Sequence, residues 1–141
     1  LVQAIREYAS TRGGFNINEA HIFAGEINSR GRAVGFHHRP GGTSPASARI
    51  VEITDPANAQ GIYRATVEIY EPSTNTWLRK GTPSTFFPDS WSQTRVLSEI
   101  REAFANRDVL NGSRWEGVSP SGIRIRGFLD EAGRITTAYP I

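Results

Sequence analysis

Three histidines stand in the first third of the chain: His21, His37 and His38. Histidine is the side chain whose ordinary pKa lies nearest neutrality. Two that converge can therefore share proton transfers, one as base and the other as acid. Zinc is the competing use of the same residues. Adjacent His37 and His38 rarely point the same way, however, and no HExxH or CxxC pattern accompanies them. Ser and Asp are plentiful, yet no GxSxG elbow marks a nucleophilic serine. A histidine on a short apolar helix, such as His21 beside Ile22 and Phe23, also has a purely structural use.

The cations are lopsided. Of sixteen basic residues, fifteen are Arg and one is Lys, Lys80. Arg presents a rigid bidentate fork, whereas Lys offers a compact charge that can follow a shifting oxyanion; a solvated surface lysine is the bland alternative. Lys80 leads into Gly81 and the aromatic, proline-rich run that ends at Trp91. That run reads as a lid over a sheet, with Phe86, Phe87 and Trp91 in the core. Ser84 and Thr85, following Pro83, are placed to show hydroxyls to a ligand. Near the end of the chain, Thr137 and Tyr139 share one face of a strand. Tyr can stack on a base and Thr can donate to a phosphate or base edge, unless the Tyr only packs a sheet edge. Arg124 and Arg126 face away from Ile123 and Ile125, which is ordinary amphipathicity that also supplies phosphate-facing cations.

The elements that must position these residues follow from periodicity. Residues 1–12 predict a helix stopped by Gly13-Gly14. Asn18 predicts an N-cap for a short helix through Ala24. Arg39 to Ser47 reads as a surface loop. Strands are expected over residues 48–54, 62–71 and 76–80, with Tyr63, Ala65, Val67 and Ile69 on one face. Ser90 and Gln93 fit a capping box for a helix to Arg107, and residues 122–129 and 134–139 predict a hairpin. Most strands do not alternate with helices, so the fold class is α+β with antiparallel sheets, N-terminal helices and one longer central helix.

Composition bounds the function. A chain of 141 residues predicts one domain, residues 1–141. With 38% hydrophobic and 21% charged residues it reads as soluble and globular, and no apolar run suits a membrane span. Cysteine is absent, which excludes disulfides, thiol nucleophiles and Cys-ligated zinc. Methionine is absent even at position 1, so the chain reads as the C-terminal fragment of a longer protein. The net charge of +2 permits a polyanionic partner without demanding one.

Four motifs in order, NEAHIFAGEIN around His21, GRAVGFHHR, RKGTPSTFFPDSW and TTAYP, resemble the bacterial branch of the EndoU endoribonuclease family. More distantly they resemble the eukaryotic EndoU enzymes and the coronavirus uridylate-specific endoribonuclease. The resemblance runs from about Asn18 to the last residue and leaves residues 1–17 for a leader or accessory helix. It implies cleavage of RNA, with a structured RNA such as tRNA as the target, by attack of a ribose 2′-OH, giving 2′,3′-cyclic phosphate and 5′-OH ends. No cofactor is required, and dependence on Mn²⁺ is not expected. Carried over, His21 is the general acid, His37 the general base and Lys80 the catalytic lysine. Ser84 falls where the viral relatives contact the base, and Thr137 and Tyr139 fall where the family grips phosphate and stacks the nucleotide. His38, beside His37, and Arg126 are added as substrate contacts. The bacterial branch further implies the toxin domain of a secreted or surface-displayed effector, delivered into a target cell's cytoplasm and paired with an immunity protein. A non-catalytic RNA- or protein-binding module on the same fold is the alternative.

Overall fold

The structure, a computed structural model, describes residues 16–141. The helix expected over residues 1–12 lies outside the described residues. The elements run α1 (Glu19–Phe23), β1 (Glu26–Ile27), β2 (Ala33–Val34), β3 (Ala48–Asp55), β4 (Tyr63–Glu71), β5 (Thr76–Arg79) and β6 (Ser84–Phe86). They continue as α2 (Gln93–Ala105), β7 (Val109–Asn111), β8 (Arg114–Val118), β9 (Arg124–Leu129) and β10 (Ile135–Pro140). Every strand pairing among the described residues is antiparallel, apart from one parallel bridge between Ile17 and Ile135. The architecture is α+β, as the sequence pattern implies.

β4 organises the first sheet. Its alternation buries Tyr63, Ala65, Val67 and Ile69 and turns Arg64 outward. β3 covers one edge of β4. β5 and β6 share the other, β5 against residues 68–71 and β6 against residues 63–65. They are in effect one strand interrupted by residues 81–83, because the Lys80 N–H still donates to the Val67 carbonyl at 3.0 Å before the chain leaves the ladder. The expected lid is thus reduced to Gly81-Thr82-Pro83, and Ser84 and Thr85 belong to the sheet. Phe86, Phe87 and Trp91 are buried, as expected.

The second sheet has the order β10-β9-β8-β7. It contains the expected C-terminal hairpin, with a bulge at Phe128/Leu129. It also contains a hairpin, β7–β8, that periodicity does not announce: β7 is short and leaves Leu110 58% exposed. α2 packs Val96, Leu97, Ile100 and Ala103 on this sheet. Its N-cap is Ser92, whose hydroxyl accepts from Arg95 N–H at 3.0 Å, and not Ser90. The chain first makes a turn, with Trp91 N–H bonded to the Pro88 carbonyl, and so the helix starts later than the capping-box spacing indicates. The Arg39–Ser47 loop holds a single 3₁₀ turn, Pro40–Gly42.

Gly127 pairs with Trp115 across β9 and β8, and a methyl group there would overlap the fully buried indole. Overpacking of this kind costs about 1–3 kcal/mol. Gly127→Ala is expected to destabilise the protein by that amount, read as a lower urea midpoint with an unchanged slope; an unshifted midpoint would show that the ring has room to move.

Candidate active site

His21 sits on the five-residue helix α1. Asn18 occupies the N-cap position but makes no side-chain cap, contrary to its expected role. Its amide instead donates to both carboxylate oxygens of Glu26, at 3.2 and 3.3 Å. Glu26 Oε1 in turn lies 3.1 Å from His21 Nδ1. Gly25, at φ +74°, turns the chain sharply between α1 and β1 and so returns the carboxylate to the imidazole. Sequence reasoning missed this relay. The signal was a carboxylate five residues after a histidine with a glycine between them, a pattern with many structural uses.

His37 is positioned by backbone. Phe36 N–H donates to the His21 carbonyl at 2.8 Å, His37 N–H to the Ile22 carbonyl at 2.7 Å, and Phe87 N–H to the His37 carbonyl at 2.9 Å. The GFH segment is thereby fixed between α1 and the end of β6. Gly35, at φ +85°, packs so closely on His21 that a methyl group would overlap its carbonyl oxygen. Phe36 also adopts a left-handed φ of 69°, a conformation that costs a non-glycine residue about 1–3 kcal/mol. Its ring is fully buried, edge-on to Phe86 with centroids 5.0 Å apart, and that packing offsets the strain. The His37 Nδ1–H donates to the Thr85 carbonyl at 2.9 Å, which leaves Nε2 as the lone-pair nitrogen. The His21 and His37 rings lie 6.2 Å apart, and His37 stacks on Tyr139 at 5.1 Å and 24°.

Lys80 leaves β5 where the strand breaks, which places it opposite Ser84 on the far side of the looped-out residues. Lys80 Nζ donates to Ser84 Oγ at 2.7 Å and to the Gly35 carbonyl at 3.2 Å. The Ser84 hydroxyl donates to the same carbonyl at 3.0 Å.

His21, His37, Lys80, Thr137 and Tyr139 converge on one cleft of about 410 Å³. Thr85, expected from its place after Pro83 to face a ligand, also lines it, as does Arg64, which was not singled out from sequence. Among the described residues the Thr137 hydroxyl has no hydrogen-bond partner. Three further residues singled out from sequence do not line this cleft. His38 is fully buried, its Nε2 bonded to the Trp91 carbonyl at 2.9 Å and its ring edge-on to Phe23. Ser84 is fully buried, with its hydroxyl committed to Lys80 and Gly35. Arg126 is paired with Glu116 at 2.8 Å and also meets the hydroxyl of Tyr139, a residue of the cleft wall, and Arg124 grips both Glu116 and Asp108.

Electrostatics separates the two imidazoles of the cleft. Burial pushes His37 well below the ordinary value of 6.5, and neighbouring Lys80 adds to the shift. Burial also lowers His21, but the Glu26 carboxylate opposes it by favouring the protonated ring. Burial lowers Lys80 to about 8, which leaves the ammonium form dominant at neutral pH.

The family model of the bacterial EndoU nuclease matches residues 15–141. A Bacillus cereus protein named Toxin is 38% identical over 128 residues, covering 85% of this chain. The match spans about a fifth of that relative's length (21%). No solved structure matches.

His21, His37 and His38 are all held below 6.5, so the unfolded chain binds more protons than the folded one once pH drops below that value. Stability is therefore complete above about 6.5 and declines as pH falls toward the folded-state values. Urea midpoints should fall from about pH 7 to about pH 5, and less steeply in His37→Asn, which removes one of the titrating groups. Equal slopes in the two proteins would contradict the assignment.

Proposed function

The chain belongs to the bacterial EndoU nuclease family, and on that premise we propose that the His21–His37–Lys80 cleft cleaves RNA by internal transesterification. The observation that carries the proposal is the pairing of two imidazoles in unlike environments on one cleft. His37, neutral and with Nε2 unprotonated, removes the proton from a ribose 2′-OH. The 2′-oxygen then bonds to the adjacent phosphorus while the bond from phosphorus to the 5′-oxygen breaks. His21, protonated with the help of Glu26, delivers a proton to that leaving oxygen. Lys80 and the Thr137 hydroxyl face the charge that develops on the phosphorane oxygens, and Tyr139 offers its ring to the nucleotide. Ser84 acts from beneath by fixing the Lys80 ammonium. The products are a 2′,3′-cyclic phosphate and a 5′-OH end, and DNA lacks the nucleophile.

We extend to this chain the role that the Bacillus cereus relative's name states, a toxin. In that role the nuclease is the effector portion of a larger secreted or surface-displayed protein. Its target in the recipient cytoplasm is a structured RNA such as tRNA, and an immunity protein neutralises it in the producing cell.

Incubation with total RNA in the presence of EDTA, followed by mapping of the cut ends, tests the chemistry. Cyclic phosphate termini are expected, and His21→Ala and His37→Ala should each slow cleavage by about 10²- to 10⁴-fold. Because both ring pKa values lie below 6.5, kcat/KM should peak on the acid side of neutrality. Glu26→Gln should move the falling limb to lower pH, since the carboxylate holds the His21 pKa up. RNA that binds but stays intact, with no effect of His21→Ala, would favour a non-catalytic binding module.

A further inference from the structure

Two more clefts adjoin the catalytic one and share its walls. One, of about 530 Å³, shares Val34, Lys80 and Thr82 with it and adds Arg32 and Arg79. The other, of about 410 Å³, shares Arg64 and Thr85 and adds Asn58, Gln60 and the chain end at Pro140-Ile141. The three form one groove with the histidine pair in the middle. Its charged walls are Arg32, Arg79, Lys80 and Arg64 against a single carboxylate, Asp55. A protein of net charge only +2 thus concentrates cations along one line, which is how a polyanion is guided. The pairs that Arg79 and Arg64 make, with Glu68 at 3.1 Å and Asp55 at 3.5 Å, involve exposed guanidiniums. Such pairs are weak and are readily exchanged for a phosphate. Among the described residues Arg32 pairs with no carboxylate. Each flanking cleft falls within the roughly 300–1,000 Å³ range that houses small ligands, and is large enough for a nucleotide.

The groove has a direction. His21 lies on the side of β1 and β2, because its partner Glu26 pairs with Val34, and β2 lines the cleft that holds Arg32 and Arg79. His37 lies on the opposite side, because its Nδ1–H is held by Thr85, which lines the cleft beyond Arg64. Resting on the acid and base roles proposed above, we infer that the substrate is an extended single-stranded RNA segment threaded with fixed polarity. The nucleotide that supplies the 2′-OH, and the strand 5′ to it, lie toward Arg64. The departing 5′-oxygen, and the strand 3′ to it, lie toward Arg32 and Arg79. Neither arm is needed for the bond-breaking step itself; the arms contact flanking phosphates and set how much of the strand is gripped.

The test uses DNA strands that carry one ribonucleotide, so that only one bond can be cut, with the base chosen as the best cut of the four. From a minimal substrate the strand is lengthened only on its 5′ side or only on its 3′ side, and kcat/KM is measured across a salt series. Lengthening on either side is expected to raise kcat/KM. Arg64→Gln should reduce the 5′ gain about three- to tenfold and spare the 3′ gain, while the Arg32→Gln/Arg79→Gln double variant does the reverse. Each lost phosphate contact should also flatten the salt slope by about one. Thermal melts confirm that these exposed-residue variants fold. Swapped dependence, equal loss on both sides, or no gain from lengthening would overturn the polarity while leaving the chemistry standing. If the unsubstituted protein cuts none of the four strands, the transesterification reading fails first and the polarity with it.

Discussion

The site depends on the close approach of Gly35 to the carbonyl of His21. Only a residue without a side chain fits there, and the left-handed turn it permits lets the following two N–H groups bond to successive carbonyls of α1. Those two hydrogen bonds fix the separation of the imidazoles in backbone rather than in side-chain rotamers. A helix of five residues would have little stability alone. Here it is held by the loop it positions, by the packing of Ile22 and Phe23 in the core, and by the Ile17 bridge to β10. The fold and the site are therefore coupled: what locks α1 also sets the geometry of the acid–base pair.

From that fixed geometry, unlike surroundings give like residues different chemistry. His37 is buried and lies next to the Lys80 ammonium, so protonating it is costly, and the neutral Thr85 carbonyl that accepts from its Nδ1–H offsets this only in part. His21 faces a carboxylate that is itself held by Asn18, so protonating it is easier. His38, one residue from His37, points into the core and donates to Trp91 instead. The break in the strand between β5 and β6 does the equivalent for Lys80. It frees the side chain from the sheet surface while Ser84 and the Gly35 carbonyl hold the ammonium in place.

Much of this was legible in the sequence because it was carried by period and by residue type. The alternation of β4, the apolar stripe of α2 and the final hairpin all rest on local patterns that survive in three dimensions. The residues His21, His37, Lys80, Thr137 and Tyr139 were recognised through motif order, and they do converge on one cleft. What stayed hidden was non-local or made by backbone. Glu26 looks like any strand-end carboxylate until Gly25 turns it back. Thr85 acts on His37 through its carbonyl, which no side-chain motif encodes. Arg64 reads as the polar face of an amphipathic strand, and only the packing of β10 and the Lys80–Thr85 segment beside it makes it part of a groove. Ser84 and Arg126 have side chains suited to binding, but Ser84 is buried with its hydroxyl committed to Lys80 and Gly35, and Arg126 is shared between Glu116 and the Tyr139 hydroxyl.

The most direct test of the account is the protonation state and tautomer of the two ring systems, read by ¹⁵N-resolved NMR titration of the free protein. His37 is expected to remain neutral, with its proton on Nδ1, through the pH range in which an ordinary histidine titrates near 6.5, and to take up its proton below His21. A His37 that titrates at or above the ordinary value, or that carries its proton on Nε2 when neutral, would contradict the assignment of this ring as the base.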